Sequence, residues 1–179
     1  MSMSAEHYPS RTAAASRRRQ AGLVWFIVTL LVLFWILAIL LPPLAAVAGL
    51  PQIGEGAFWF FGYICHQLPD RSFHLMGHQL GVCSRCFGVY FGLLAGVLAY
   101  PLLRRIDEIE PLPRVFLFAS IIPMAIDWSL TFFGIWENTH ASRFLTGLIL
   151  GVGCATFIIP AVVEIARYTL GRPAPASTA

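Results

Sequence analysis

Residues Leu23 to Leu41 read LVWFIVTLLVLFWILAILL, with Arg17-Arg18-Arg19 just before them and Pro42-Pro43 just after. A helix needs about 20 apolar residues to cross a bilayer core, and no residue from Gln20 to Gly54 is charged. This run is the strongest spanning signal in the chain. Ala46-Val47-Ala48 resembles a signal-peptide processing site, but the run exceeds the ~7–15 residues of a signal core and further spans follow it. It reads as an uncleaved first helix that stops at the proline pair.

Outward from it, the chain keeps the same character. Of 179 residues 58% are hydrophobic and 12% charged, more apolar surface than a soluble domain of this size can hide. The fold class is all-α: a polytopic transmembrane helical bundle of four spans plus a short interfacial or re-entrant helix. Spans are expected at about 23–41, 83–103, 115–136 and 144–163 within one domain, 21–168, flanked by a disordered basic tail at 1–20 and another at 169–179. Gly56 to Cys65, with Phe58-Trp59-Phe60-Phe61, is too short to cross and supplies the interfacial helix. An outer Cys/His loop occupies 51–82.

All twelve basic residues are arginine. With the N-terminus inside, Arg11, Arg17, Arg18, Arg19, Arg104, Arg105, Arg114, Arg167 and Arg172 collect on one side, against Arg71, Arg85 and Arg143 on the other. Positive charge stays inside, so both termini are expected in the cytoplasm of a plasma-membrane protein, with the cysteine loop outside. No arginine group forms a basic face with interleaved aromatics, so nucleic acid is not a partner; the lipid bilayer is.

Chemistry concentrates between Cys65 and Gly92. Cys83 and Cys86 are three apart at a helix start, close enough for a disulfide or one metal ion. The helix N-terminus and Arg85 favour thiolates there. With Cys65-His66 they make three thiolates and an imidazole, a tetrahedral set that suits zinc or a similar transition metal. Thiol redox and a structural disulfide are the competing readings. His74 and His78, at i and i+4, share a face if that segment is helical; solvated histidines are the simpler reading. His7 and His140 carry no pattern.

Asp127 is a carboxylate inside a span, which requires a partner. It stands about 20 Å above Arg114, near the level of Arg143, Arg85 and Tyr90, so these four are the candidate catalytic residues. The alternative is an Asp127–Arg143 ion pair that only locks the bundle. Ser84, Gly88, Gly92 and Gly96 face Gly147, Gly151 and Ala155 as matching small-residue stripes, so the second and fourth spans are expected to pack through them, turning the cysteines toward the loop and the third span. Cys154 reads as a packing residue, and Glu164 with Arg167 as an end-of-helix pair.

The runs Cys65-His66-Gln67, Arg71-Ser72-Phe73 and Cys83-x-Arg85-Cys86-x-Gly88-x-Tyr90-x-Gly92 resemble those of domain-of-unknown-function family 2085, small prokaryotic membrane proteins. Asp127, Asn138, Arg143 and Thr146-Gly147 follow the same pattern, so the resemblance covers roughly Phe58 to Gly151. It implies a polytopic helical protein in which these polar positions form one site, and it implies no reaction. Three functions are expected from the residues. The first is a metal-dependent membrane enzyme acting on a lipid or small anionic substrate. The second is a thiol–disulfide oxidoreductase linked to quinone. The third is a non-enzymatic transporter or assembly subunit.

Overall fold

The computed structural model describes residues 11–170, so the expected tails at 1–10 and 171–179 lie outside it, as does His7. Among the described residues, four helices are long and apolar enough to cross a membrane. Helix α1 spans Arg11–Val47, α2 Pro51–Gly62, α3 Ser84–Leu103, α4 Arg114–Phe132 and α5 His140–Leu170, with a two-stranded hairpin, β1 His74–Leu75 and β2 His78–Gln79, between α2 and α3.

Several boundaries differ from expectation. Residues 11–20 are helical, not a disordered tail: an alanine- and arginine-rich stretch has high helix propensity and simply extends α1. The helix also continues through Pro42 and Pro43 to Val47. Both prolines are buried, and α2 closes on them, Gly54 lying so near that a Cβ there would meet the Pro42 carbonyl at 2.9 Å. Packing thus offsets the backbone hydrogen bonds that proline removes. Helix α2 starts at Pro51, not Gly56, with proline in the first turn, where its missing N–H costs nothing.

The third span stops at Phe132 because Gly134 takes φ +67°, and Ile135 N–H returns to the Leu130 carbonyl (3.0 Å) while Gly134 N–H reaches Thr131 (3.1 Å), a Schellman cap. Thr139 and Ser142 cap each other reciprocally, each side-chain oxygen accepting the other's N–H at 3.1 Å, so α5 begins at His140, a turn earlier than expected. It also runs past Val163 to Leu170, where Arg167 donates to the Asp107 carbonyl (2.5 Å) and not to Glu164.

The seam between α3 and α5 is the backbone of the bundle. These helices run parallel, and each four-residue step on one is matched by a four-residue step on the other. Cβ atoms on Gly88 and Gly92 would fall on the carbonyls of Phe144 and Leu148, and on Gly147 and Gly151 on those of Arg85 and Val89. The stripes therefore permit main-chain contact, as expected. Helix α1 lies against α2, α3 and α5, and α4 packs along α5 with at most marginal contact to α3. Two apolar clusters result. One, around Val97, Tyr100, Ala155, Ile159 and Val163, fills the arginine-rich end; the other, around Ile39, Phe61, Leu80 and Val82, contains Cys65 and supports the cysteine end.

Candidate metal centre and anion cavity

The loop between α2 and α3 is laced by its own amides. Gln67, with φ +48°, donates its Nε2 to the carbonyls of Phe58 (2.7 Å) and Gly81 (2.8 Å). Gln79 donates to the Gln67 carbonyl (2.7 Å) and to Ser72 Oγ (2.9 Å). Gly81 N–H reaches the Ile39 carbonyl of α1 (3.0 Å). These bonds fold residues 63–82 back onto the bundle and seat Cys65, which is buried, over the start of α3.

Cys83 is the residue that precedes the first turn of α3, and its N–H donates to Cys65 Sγ at 3.2 Å. The sulfurs of Cys65, Cys83 and Cys86 all lie within 4.8 Å of one another, and all three cysteines are free. Around zinc, with bonds of about 2.3 Å, ideal tetrahedral geometry sets sulfurs about 3.8 Å apart. Small side-chain adjustments would therefore let the set close on one ion. The Cys83 N–H donated to Cys65 Sγ and the positive N-terminal end of α3 both favour negative charge on this sulfur group, the form that binds metal.

His66 stands apart from this group. It is exposed and does not join the three-sulfur set, so the expected group of three cysteines and one imidazole is three cysteines here. His74 and His78 sit on the two hairpin strands, in register His74↔Gln79 and Leu75↔His78, not on one helical face. The turn carries Met76 and Gly77 at φ +52° and +83°, the backbone that a two-residue hairpin requires. His140 lies beside the Phe73 ring, with centroids 5.6 Å apart.

The sulfurs line a cavity of about 510 Å³. Its polar wall comprises His66, Arg71, Arg85, Asn138 and Arg143, and its apolar wall includes Ile64, Leu68, Trp128 and Phe132. Arg85 Nη2 donates to Asp127 Oδ2 at 2.6 Å, and Asn138 Nδ2 donates to the same oxygen at 3.0 Å. Asn138 Oδ1 in turn accepts from Arg143 Nε at 2.6 Å. Asp127 therefore pairs with Arg85 and reaches Arg143 only through Asn138, in place of the expected direct Asp127–Arg143 pair. The carboxylate is buried behind the cavity wall and orients two guanidiniums by one chain of bonds.

Tyr90 packs one turn below Cys86, against Trp35 of α1 (ring centroids 5.8 Å), and does not line the cavity. The cysteine face of α3 thus turns toward α1 and the loop, while α4 contributes the far wall of the cavity. Arg71 was not among the four candidate catalytic residues or the expected metal ligands, although the resemblance implied a place for it in the shared site. Its carbonyl accepts from Ser84 Oγ (2.9 Å), which pins it beside the first turn of α3. The signal for it was the Arg71-Ser72-Phe73 run. Asn138 likewise sits in the downstream pattern, but its bridging role depends on α4 and α5 meeting.

Four apolar helices around a Cys₃ group and an arginine-lined cavity define a polytopic membrane protein with a polar site at one rim. The chain belongs to the family of predicted membrane proteins described as DUF2085, whose model matches residues 65–157. It is 35% identical to the uncharacterized protein MJ1492 of Methanocaldococcus jannaschii over 151 residues, 79% of this chain and 94% of the relative. An uncharacterized protein of Methanothermobacter thermautotrophicus is 37% identical over 97 residues, 53% of this chain and 84% of that one. No solved structure matches the chain.

Proposed function

We propose that this protein is a metal-dependent membrane enzyme that holds zinc, or a similar soft transition metal, on Cys65, Cys83 and Cys86 and binds an anionic substrate in the adjoining cavity. The observation that carries the reading is that the three sulfurs are mutually within 4.8 Å and also line the cavity. Three protein ligands with the remaining position accessible is the pattern of zinc sites that do chemistry; sites that only staple a loop use four. When bound, such a metal supplies Lewis acidity and lowers the pKa of a coordinated water.

The chain's own residues supply the rest. Arg71, Arg85 and Arg143 hold the anion, a lipid headgroup or a small anion, by charge-assisted hydrogen bonds. Asp127 and Asn138 position Arg85 and Arg143. His66, at the exposed edge, is within the cavity lining as a proton acceptor or an exchangeable fourth ligand. The nine-to-three arginine asymmetry supports a plasma-membrane orientation with both termini cytoplasmic and this site at the extracytoplasmic face.

The test is metal content measured beside thiol reactivity on protein purified under reducing conditions. About one zinc per chain is expected, with three thiols protected until a chelator is added. Protein that is metal-free at every free-zinc concentration tested, with three freely alkylated thiols, counts against the reading.

The same sulfur proximity favours a second reading, thiol–disulfide exchange. Cys83 and Cys86 would form a disulfide as two electrons and two protons pass to a quinone. The Cys65 thiolate would then attack Cys83 Sγ, releasing Cys86 as thiolate. A dithiol substrate would reduce the resulting Cys65–Cys83 bond and leave as its own disulfide. Quinone reduction that is lost in Cys86→Ser, by protein without zinc, would select it over the first.

A further inference from the structure

The cavity has two chemically unlike halves, and their arrangement specifies more than an anion. Arg71, Arg85 and Arg143 come from three separate elements and converge on one side. Arg85 is matched one-to-one by Asp127. Arg71 and Arg143 make no ion pair among the described residues, which leaves two positive charges facing the cavity. Asp70 and Glu137 line a neighbouring cavity that shares both arginines, and neither is ion-paired with them among the described residues. Zinc on three thiolates would return a single negative charge, so the cavity stays cationic in either state.

The opposite half is hydrocarbon. Ile64, Leu68, Trp128 and Phe132 line the cavity and yet remain 47%, 45%, 53% and 67% exposed. Trp128 and Phe132 belong to α4, which packs along α5 and is tied to α3 through the long Arg85 side chain on Asp127 and not by close main-chain approach. Exposed apolar side chains of a candidate span that also line the cavity offer a surface to the hydrocarbon chain of a ligand. A free small anion would use the arginines and gain nothing from that wall.

We infer that the ligand is a phosphate monoester carried on a hydrocarbon chain, which enters sideways between α3 and α4, its phosphate on Arg71, Arg85 and Arg143 and its chain along Trp128 and Phe132. A monoester bears about −1.5 to −2 charge at neutral pH and offers three acceptor oxygens, a match for two unpaired guanidiniums plus one held by Asp127. A phosphodiester headgroup carries less charge and two substituents, and fits worse. This inference rests on the anion-binding reading of the cavity, although not on the metal.

The experiment titrates dodecyl phosphate, inorganic phosphate and dodecylphosphocholine into the full chain in phosphatidylcholine nanodiscs, with and without zinc, by calorimetry. Saturable binding of dodecyl phosphate at least ~30-fold tighter than either comparator is expected, since both the charge and the chain contribute. Arg71→Gln, on an exposed turn where its loss spares the fold, should weaken it by at least ~10-fold. Trp128→Ala should reduce the advantage over inorganic phosphate and leave inorganic phosphate binding unchanged. Equal affinity for inorganic phosphate, or Arg71→Gln binding like the parent, overturns the inference. Zinc at one per chain with no dodecyl phosphate binding overturns this inference alone. Binding by protein that takes up no zinc supports it while removing the metal reading.

Discussion

The contacts that α5 makes with α3 and with α4 are of different kinds. Against α3 the glycines bring main chain onto main chain, so Gly92 sits where any Cβ would strike the Leu148 carbonyl. Against α4 the glycine contact is Gly153 with the side chain of Ser120, not with main chain. Helix α4 is otherwise clothed in exposed apolar side chains, Phe118, Ile122, Ile126 and Trp128 among them. A main-chain seam beside a helix held through side chains agrees with the proposed site, whose sulfurs and Arg85 lie on the firmer side while the other wall would admit a ligand. Cys83, Cys86 and Arg85 ride on the fixed side; Trp128 and Phe132 ride on the loose one.

The comparison can be broken at several strengths. Gly92→Leu is expected to abolish the folded protein, because main chain cannot yield as a side chain does; overpacking already costs about 1–3 kcal/mol where side chains can move. Size-exclusion profiles of detergent-extracted protein would check this, and a monodisperse variant with the parental unfolding midpoint would refute the seam. Chelation comes next. If zinc joins Cys65 to the start of α3, removing it at a free concentration a thousandfold above Kd forfeits about 4 kcal/mol, read as a fall in thermal midpoint that re-addition of zinc reverses.

Asp127→Asn strips Arg85 of its charge partner and should cost about 3 kcal/mol, in the range for one half of a desolvated pair. Converting both residues together, as Arg85→Met with Asp127→Leu, should recover much of that loss in the same denaturation assay. At the side-chain contact, Gly153→Ala should cost about 1–3 kcal/mol, since Ser120 Oγ can turn but Ser120 Cβ, 2.8 Å from the new methyl, moves only with α4. Phe118→Ala, on the lipid-facing side of α4, should move the midpoint by no more than about 0.5 kcal/mol. If Phe118→Ala proved as damaging as Asp127→Asn, α4 would be gripped as firmly as α3, and sideways entry would lose its basis.

Much of the scaffold was legible because bilayer thickness imposes length and composition on each span, and glycine at every fourth residue leaves few other uses for a helix face. Two of the three cysteines were legible for a local reason: three-residue spacing at a helix start places Cys83 and Cys86 together whatever surrounds them, whereas Cys65 reaches them through the fold of the loop. Boundaries were harder to read. Proline propensity argued for a stop at Pro42, and packing by α2 overrode it. Four-residue spacing suggested a helical face for His74 and His78, but Met76-Gly77 made a hairpin turn there.

The charge network separates the two sources of information most clearly. From sequence, Asp127 needed a cationic partner, since a lone carboxylate is too costly within a span; that requirement is a matter of solvation and holds in any fold. Which arginine would answer depended on how the helices are rotated and how closely α3 and α5 approach, and these are decided by contacts between residues far apart in the chain. Arg85 took the carboxylate, Asn138 relayed it to Arg143, and His66 was left outside the sulfurs. Composition and periodicity dictated that there would be spans and what each must bury, and only the packed bundle chose the partners.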